Sequence, residues 1–69
     1  MVRLLGTGAF SEVYLVKDGD GRHYACKVSE HTELLEREAA CHRRICHPLF
    51  PKFLQFRKDD GKAYLLMEY

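Results

Sequence analysis

The sequence has no tryptophan, only two prolines and only five glycines in 69 residues. That glycine and proline content excludes a collagen-like or low-complexity chain. No apolar run approaches the roughly 20 residues a membrane-crossing helix needs. No signal-peptide pattern is visible either, so a cytoplasmic, reducing setting is expected. Neither sign of charge dominates: eleven Lys and Arg stand against ten Asp and Glu, a formal +1. No net field therefore draws the chain toward nucleic acid or an anionic membrane. The three cysteines, Cys26, Cys41 and Cys46, form an odd set with no close pair, which argues against a disulfide framework. A zinc site built from Cys41, His42, Cys46 and His47 would crowd one helix and its end, so no metal site is expected.

What is present is an ordinary globular composition, 46% apolar, in a chain small enough to leave much of its surface exposed. Residues 2–5 make a short apolar start. Across residues 11–17, Val13 and Leu15 alternate with Glu12, Tyr14 and Val16, the period of a strand with one wetter face. The stretch KDGDGR (17–22) contains Asp-Gly twice and predicts a hairpin turn into a third strand at 23–28. The period then changes. Residues 32–45 are mostly helix formers, with Thr32 as the predicted N-cap and Leu34, Leu35, Glu38, Cys41, His42 and Ile45 on one stripe. Acidic residues follow the start and Arg43 and Arg44 lie near the end, as the helix dipole favours. Pro48 stops the helix. Two further strands, 53–57 and 62–67, flank the turn Lys58-Asp59-Asp60-Gly61. The predicted order is β-β-β-α-β-β, an α+β domain with one five-stranded antiparallel sheet and one main helix.

The stretch LLGTGAFSEVYLV, residues 4–16, sets two glycines between strand-like runs. Ordered glycine costs backbone entropy. A turn without β-carbons lets backbone N–H groups approach phosphate oxygens, although plain hairpins also use such turns. A strand follows where a dinucleotide fingerprint has a helix, and the Gly-Lys-Ser or Gly-Lys-Thr of a P-loop is missing. Lys27, centred in YACKV, either snorkels to the surface or carries its charge into a cleft.

The ordered set of glycine-rich turn, strand, hairpin, Ala25-Cys26-Lys27, helix with Glu, His47-Pro48 and two strands ending Met67-Glu68-Tyr69 resembles the small lobe of a protein kinase of the serine/threonine type. The resemblance spans essentially all 69 residues. It implies that Leu5, Gly6, Thr7, Gly8, Ala9, Phe10 and Ser11 form the loop over ATP, with Phe10 at its tip and Ser11 where many members have a third glycine. Val13 and Ala25 would close over the adenine, Met67 would guard the back of that pocket, and the carbonyl of Glu68 would accept from the adenine amino group. Lys27 would contact the α- and β-phosphates and pair with a glutamate. Glu36 and Glu38 both compete for that role. The family's glutamate lies nine residues before the His of His-Pro, which selects Glu38, and Glu38 also lies on the stripe while Glu36 points away. His42, one turn on, stands where the family has an apolar residue of the column joining the two lobes; Phe53 is the next level of that column.

The His-Arg-Asp and Asp-Phe-Gly stretches that orient the attacking hydroxyl and hold magnesium in this family do not occur in the sequence. A truncated kinase-like domain is therefore expected over 1–69, with the large lobe absent and Mg2+ bound only where such a lobe is supplied. The expected function is the ATP-binding lobe of a protein kinase that acts on serine or threonine. The alternatives are a non-catalytic kinase-like module that binds a partner protein and a relative acting on a small molecule. An exposed underside is expected to favour self-association.

Overall fold

A computed structural model describes residues 3–44, 49 and 51–69. Val2, Ile45, Cys46, His47 and Pro48 lie outside the described residues, and with them the predicted start of the first strand and end of the helix. Six elements follow in chain order: β1 (Arg3–Thr7), β2 (Glu12–Lys17), β3 (His23–Ser29), α1 (Thr32–Arg44), β4 (Phe53–Asp59) and β5 (Lys62–Glu68). The strands form one antiparallel sheet in the order β1-β2-β3-β5-β4, so the chain leaves β3, runs through the helix and returns at the sheet edge, and β5 fills the gap.

Two turns hold the β2–β3 and β4–β5 hairpins. Between β2 and β3 the Asp18 carboxylate accepts from the backbone N–H groups of Asp20 and Arg22, both at 2.9 Å, and from the Tyr24 hydroxyl at 2.9 Å. Between β4 and β5, Asp60 and Gly61 have φ of 51° and 77°. Both central residues of that two-residue turn are left-handed, the geometry that matches the twist of the flanking strands and that Asp-Gly tolerates best.

One sheet face carries two cross-strand rows. Val13, Lys27, Leu65 and Phe56 are register partners along one, and Leu15, Ala25, Met67 and Phe53 along the next. Helix α1 packs over the β4–β5 half of this face. Leu35, Ala63 and Leu65 are fully buried and Ala39 nearly so, with Phe53, Phe56 and Met67 around them. Two alanines, Ala39 on the helix and Ala63 beneath it, allow a close approach of helix to sheet.

The predicted helical stripe divides into two faces. Leu35 and Ala39, four residues apart, meet the sheet. Leu34 is 44% exposed and Cys41 is exposed, because a single sheet layer covers only one flank of a helix and successive residues differ by about 100°. The cap also shifts: the first helical bond runs from the Leu35 N–H to the His31 carbonyl at 3.1 Å. His31 therefore holds the cap position, and Thr32 opens the helix. The first strand extends farther than predicted and takes in Gly6 and Thr7, paired with Val13 and Glu12 across an irregularity between Leu4 and Gly6. The turn itself is confined to residues 8–11 and closed by the Gly8 N–H donating to the Ser11 carbonyl at 2.7 Å.

Candidate functional site

Lys27 lies in the middle strand of the sheet, between Val13 of β2 and Leu65 of β5. Leu65 belongs to the buried cluster that docks the helix through Leu35. Glu38 follows Leu35 by three positions, so the packing that buries Leu35 swings Glu38 toward the lysine. Lys27 Nζ donates to Glu38 Oε2 at 2.6 Å. The lysine is 24% exposed and the glutamate 39%, a setting in which solvent screens the pair only in part. Glu36, the competing glutamate, points the other way and pairs with Lys58 of β4 on the outer flank of the helix.

Around this pair the structure gathers Val13, Cys41, His42, Pro51 and Met67 in one largely apolar cleft. Ala25 is buried beside Met67, its register partner on β5. The turn residues Thr7, Gly8, Ala9, Phe10 and Ser11 line a separate, more polar cleft with the end of β3. Leu5 is exposed on β1 and lines neither, and Glu68 likewise stands outside both.

Nothing among the described residues demands Gly6 or Gly8. Neither has a positive φ. A β-carbon on Gly6 would meet no atom within 4 Å, and one on Gly8 would make ordinary contacts with Ser11, at 3.5 Å to Oγ and 3.7 Å to the backbone oxygen. The bare backbone at Gly6 thus has open space over it, the condition for close approach by a molecule other than the protein.

His42 is accommodated by a hydrogen bond. Its Nε2 donates to the Pro51 carbonyl at 2.5 Å, and its ring lies 6.2 Å from that of Phe53. The Arg43 guanidinium stands 5.6 Å above the same phenylalanine ring. On the other side of Pro51, the Lys52 N–H donates to Glu68 Oε1 at 2.9 Å while the Glu68 N–H donates to the Lys52 carbonyl at 3.0 Å. Sequence reasoning missed this side-chain role of Glu68, and it missed Ser29 and His31, which contact Phe10. The only available signal was polar residues at a strand end, which is ordinary loop chemistry.

The Cys26 thiol is pushed above its ordinary pKa by burial, which disfavours a reactive thiolate. Among the described residues no group of three His, Cys, Asp or Glu side chains gathers to hold a metal ion. No described helix is long and apolar enough to cross a membrane.

No protein-family model matches the chain. Individual relatives do. The chain is 35% identical over 77 aligned positions to a cAMP-dependent protein kinase catalytic subunit of Dictyostelium discoideum, with 99% of this chain and 12% of the relative covered. It is 33% identical over 78 positions to CBL-interacting serine/threonine-protein kinase 19 of Arabidopsis thaliana, covering all of this chain and 16% of the relative. Against calcium/calmodulin-dependent protein kinase type 1 of Macrobrachium nipponense it is 37% identical over 73 positions, with 94% and 21% covered. The chain thus spans between about an eighth and a fifth of the length of these relatives. With the five-stranded antiparallel sheet, the one helix among the described residues and this likeness over nearly every residue, the chain resembles the serine/threonine protein kinases and has the fold of their small lobe.

Proposed function

We propose that this chain is the ATP-binding lobe of a protein kinase and that, joined to a large lobe, it serves phosphoryl transfer from ATP to serine or threonine hydroxyls of a protein. The observation that carries the reading is the ion pair of Lys27 with Glu38 at 2.6 Å, set in a cleft with Val13 and Met67. Glu38 holds the ammonium in place, and the ammonium is the group that would meet the α- and β-phosphates. Val13, Ala25 and Met67 offer an apolar surface for a base, and the Glu68 carbonyl would accept from its amino group. The open space over Gly6, and the absence of any tight contact at Gly8, fit backbone N–H contacts to phosphate oxygens. Bound ATP would supply the transferable phosphoryl group. Magnesium would be held by residues other than these, as neither a His-Arg-Asp nor an Asp-Phe-Gly stretch is present.

The test is Lys27→Met in the natural protein. Methionine keeps the stem and removes the charge, so phosphoryl transfer is expected to fall below detection while the amide spectrum keeps its dispersion. Undiminished transfer would overturn the reading. A second reading, a non-catalytic module that binds a partner protein or itself, draws support from the apolar cleft and from the exposure of Leu34, 44%, one turn before Glu38 on the helix. Concentration-dependent sedimentation together with an absence of phosphoryl transfer in the natural protein would favour it.

A further inference from the structure

The glycine-rich turn is fastened to the start of the helix by contacts between this chain's own residues. Ser29, the last residue of β3, is only 4% exposed. Its hydroxyl donates to the Phe10 carbonyl at the tip of the turn, at 2.6 Å. The same oxygen accepts from the His31 N–H at 3.0 Å. The Phe10 ring stands edge-on to the His31 imidazole, with centroids 5.9 Å apart and planes at 82°, a favourable aromatic arrangement. His31 in turn accepts the first hydrogen bond of α1, from Leu35. Only Glu30 and His31 separate β3 from the helix, so the strand end, the cap and the turn tip share one corner. Leu35 is the residue that docks the helix on the sheet, and Glu38 lies three positions on.

We propose that Ser29 and His31 are positioning residues that couple the glycine-rich turn to α1, so that closing the turn and setting Glu38 against Lys27 are one event. This deepens the nucleotide-binding reading and rests on it. Two features favour coupling over ordinary loop packing. One buried hydroxyl uses both its donor and its acceptor, the donor on the turn and the acceptor on the helix cap. The ring contact then joins the same two segments by a second route that does not pass through Ser29. A turn held in this way meets its ligand already ordered, which lowers the entropy cost of binding.

The test uses 15N-labelled protein, first without nucleotide and then titrated with ATP. In Ser29→Ala, amide exchange at Gly8, whose N–H closes the turn, is expected to quicken about fivefold, the loss of roughly one hydrogen bond. The Cys26 and Leu66 amides in the middle of the sheet should keep their rates. Ser29→Thr, which retains the hydroxyl, should restore the Gly8 rate. ATP affinity, followed at the Lys27 amide, should weaken in Ser29→Ala by a similar factor of about five. Phe10→Leu alters an exposed side chain and leaves the core alone, so it remains informative if Ser29→Ala fails to fold; it should shift the His31 amide and quicken exchange at Leu35. An unchanged Gly8 rate in Ser29→Ala, unchanged His31 and Leu35 amides in Phe10→Leu, or tighter ATP binding by Ser29→Ala would overturn the coupling. If even the unmodified protein shows no ATP-dependent shift while the exchange rates change as expected, the nucleotide reading fails and the mechanical link stands.

Discussion

Helix α1 makes two lysine–glutamate pairs from positions two residues apart, and they teach different things. Glu38 meets Lys27 on the cleft side, where the side chains are 39% and 24% exposed. Glu36 meets Lys58 on the outer flank, where they are 53% and 48% exposed. The charges are the same. The difference comes from the strand beneath: Lys27 is central, with strands on both sides, whereas Lys58 stands on the edge strand β4. An edge lysine can swing away from its partner into water, and a central one is confined by its neighbours. A pair of the first kind is surface decoration; a pair of the second kind fixes where a charge sits in a cleft.

The change that should break both pairs at once is Leu35→Ala. Leu35 is fully buried against Ala63 and Leu65 and seats the helix. Loss of such a side chain costs about 3 kcal/mol, against a total stability of roughly 3–10 kcal/mol for a chain of this length. The urea midpoint should fall by about a third or more, with the Lys27 and Glu38 resonances moving toward random-coil values. A midpoint within error of the original would mean that the ion pairs, not the apolar contact, hold the helix.

Glu38→Gln and Glu36→Gln separate the two pairs directly. Glutamine keeps the shape and removes the charge. Glu38→Gln should cost about 1 kcal/mol, and much of that cost should survive in high salt because the pair is partly shielded. Glu36→Gln should cost less than about 0.5 kcal/mol, fading to nothing at about 1 M salt. In a protein that phosphorylates, Glu38→Gln should also cut phosphoryl transfer at least about tenfold, the rate equivalent of 1.4 kcal/mol of lost positioning, while Glu36→Gln leaves it unchanged. Equal effects from the two substitutions would abolish the distinction drawn here. Denaturant titration at two ionic strengths reads the stability half of this contrast without any nucleotide.

Much of this arrangement was legible in the sequence, for identifiable reasons. Alternation exposed the strands, Asp-Gly exposed the hairpins, and helical spacing placed Glu38 on the inner side of α1 and Glu36 away from it. Periodicity could not divide that inner side, because it records that Leu34 and Leu35 are apolar but not how wide a surface faces them. The sheet covers Leu35 and Ala39 and leaves Leu34 exposed. Ala39 and Ala63 gave no signal of their burial, since alanine suits both a surface helix and a tight contact. The Ser29–Phe10 bond joins residues 19 positions apart through a backbone carbonyl, and no residue-type pattern encodes a carbonyl's direction. The accommodation of His42 was invisible for the same reason: its partner is the Pro51 backbone oxygen.

A third carboxylate sharpens the comparison because no lysine holds it. Asp18, in the β2–β3 turn, stands in the open and receives the backbone N–H groups of Arg22 and Asp20 and the Tyr24 hydroxyl. The backbone bond from Arg22, followed by the Tyr24 hydroxyl, holds its carboxyl below the ordinary value; the same contact with Asp18 raises the Tyr24 phenol. The folded pKa of Asp18 is therefore depressed relative to the unfolded chain. Its contribution to stability is complete above the unfolded value of about 3.9 and is lost as pH falls through the lower folded value. A carbon-detected titration should give Asp18 a midpoint beneath the ordinary aspartate value, and Asp18→Asn should flatten the stability profile in that acidic window while leaving it unchanged near neutrality, apart from a constant offset. A midpoint at the ordinary value would mean that the three donors do not favour the ionised form over the protonated one. Directed hydrogen bonds to a fully exposed group, rather than a paired charge, are what this small shift measures.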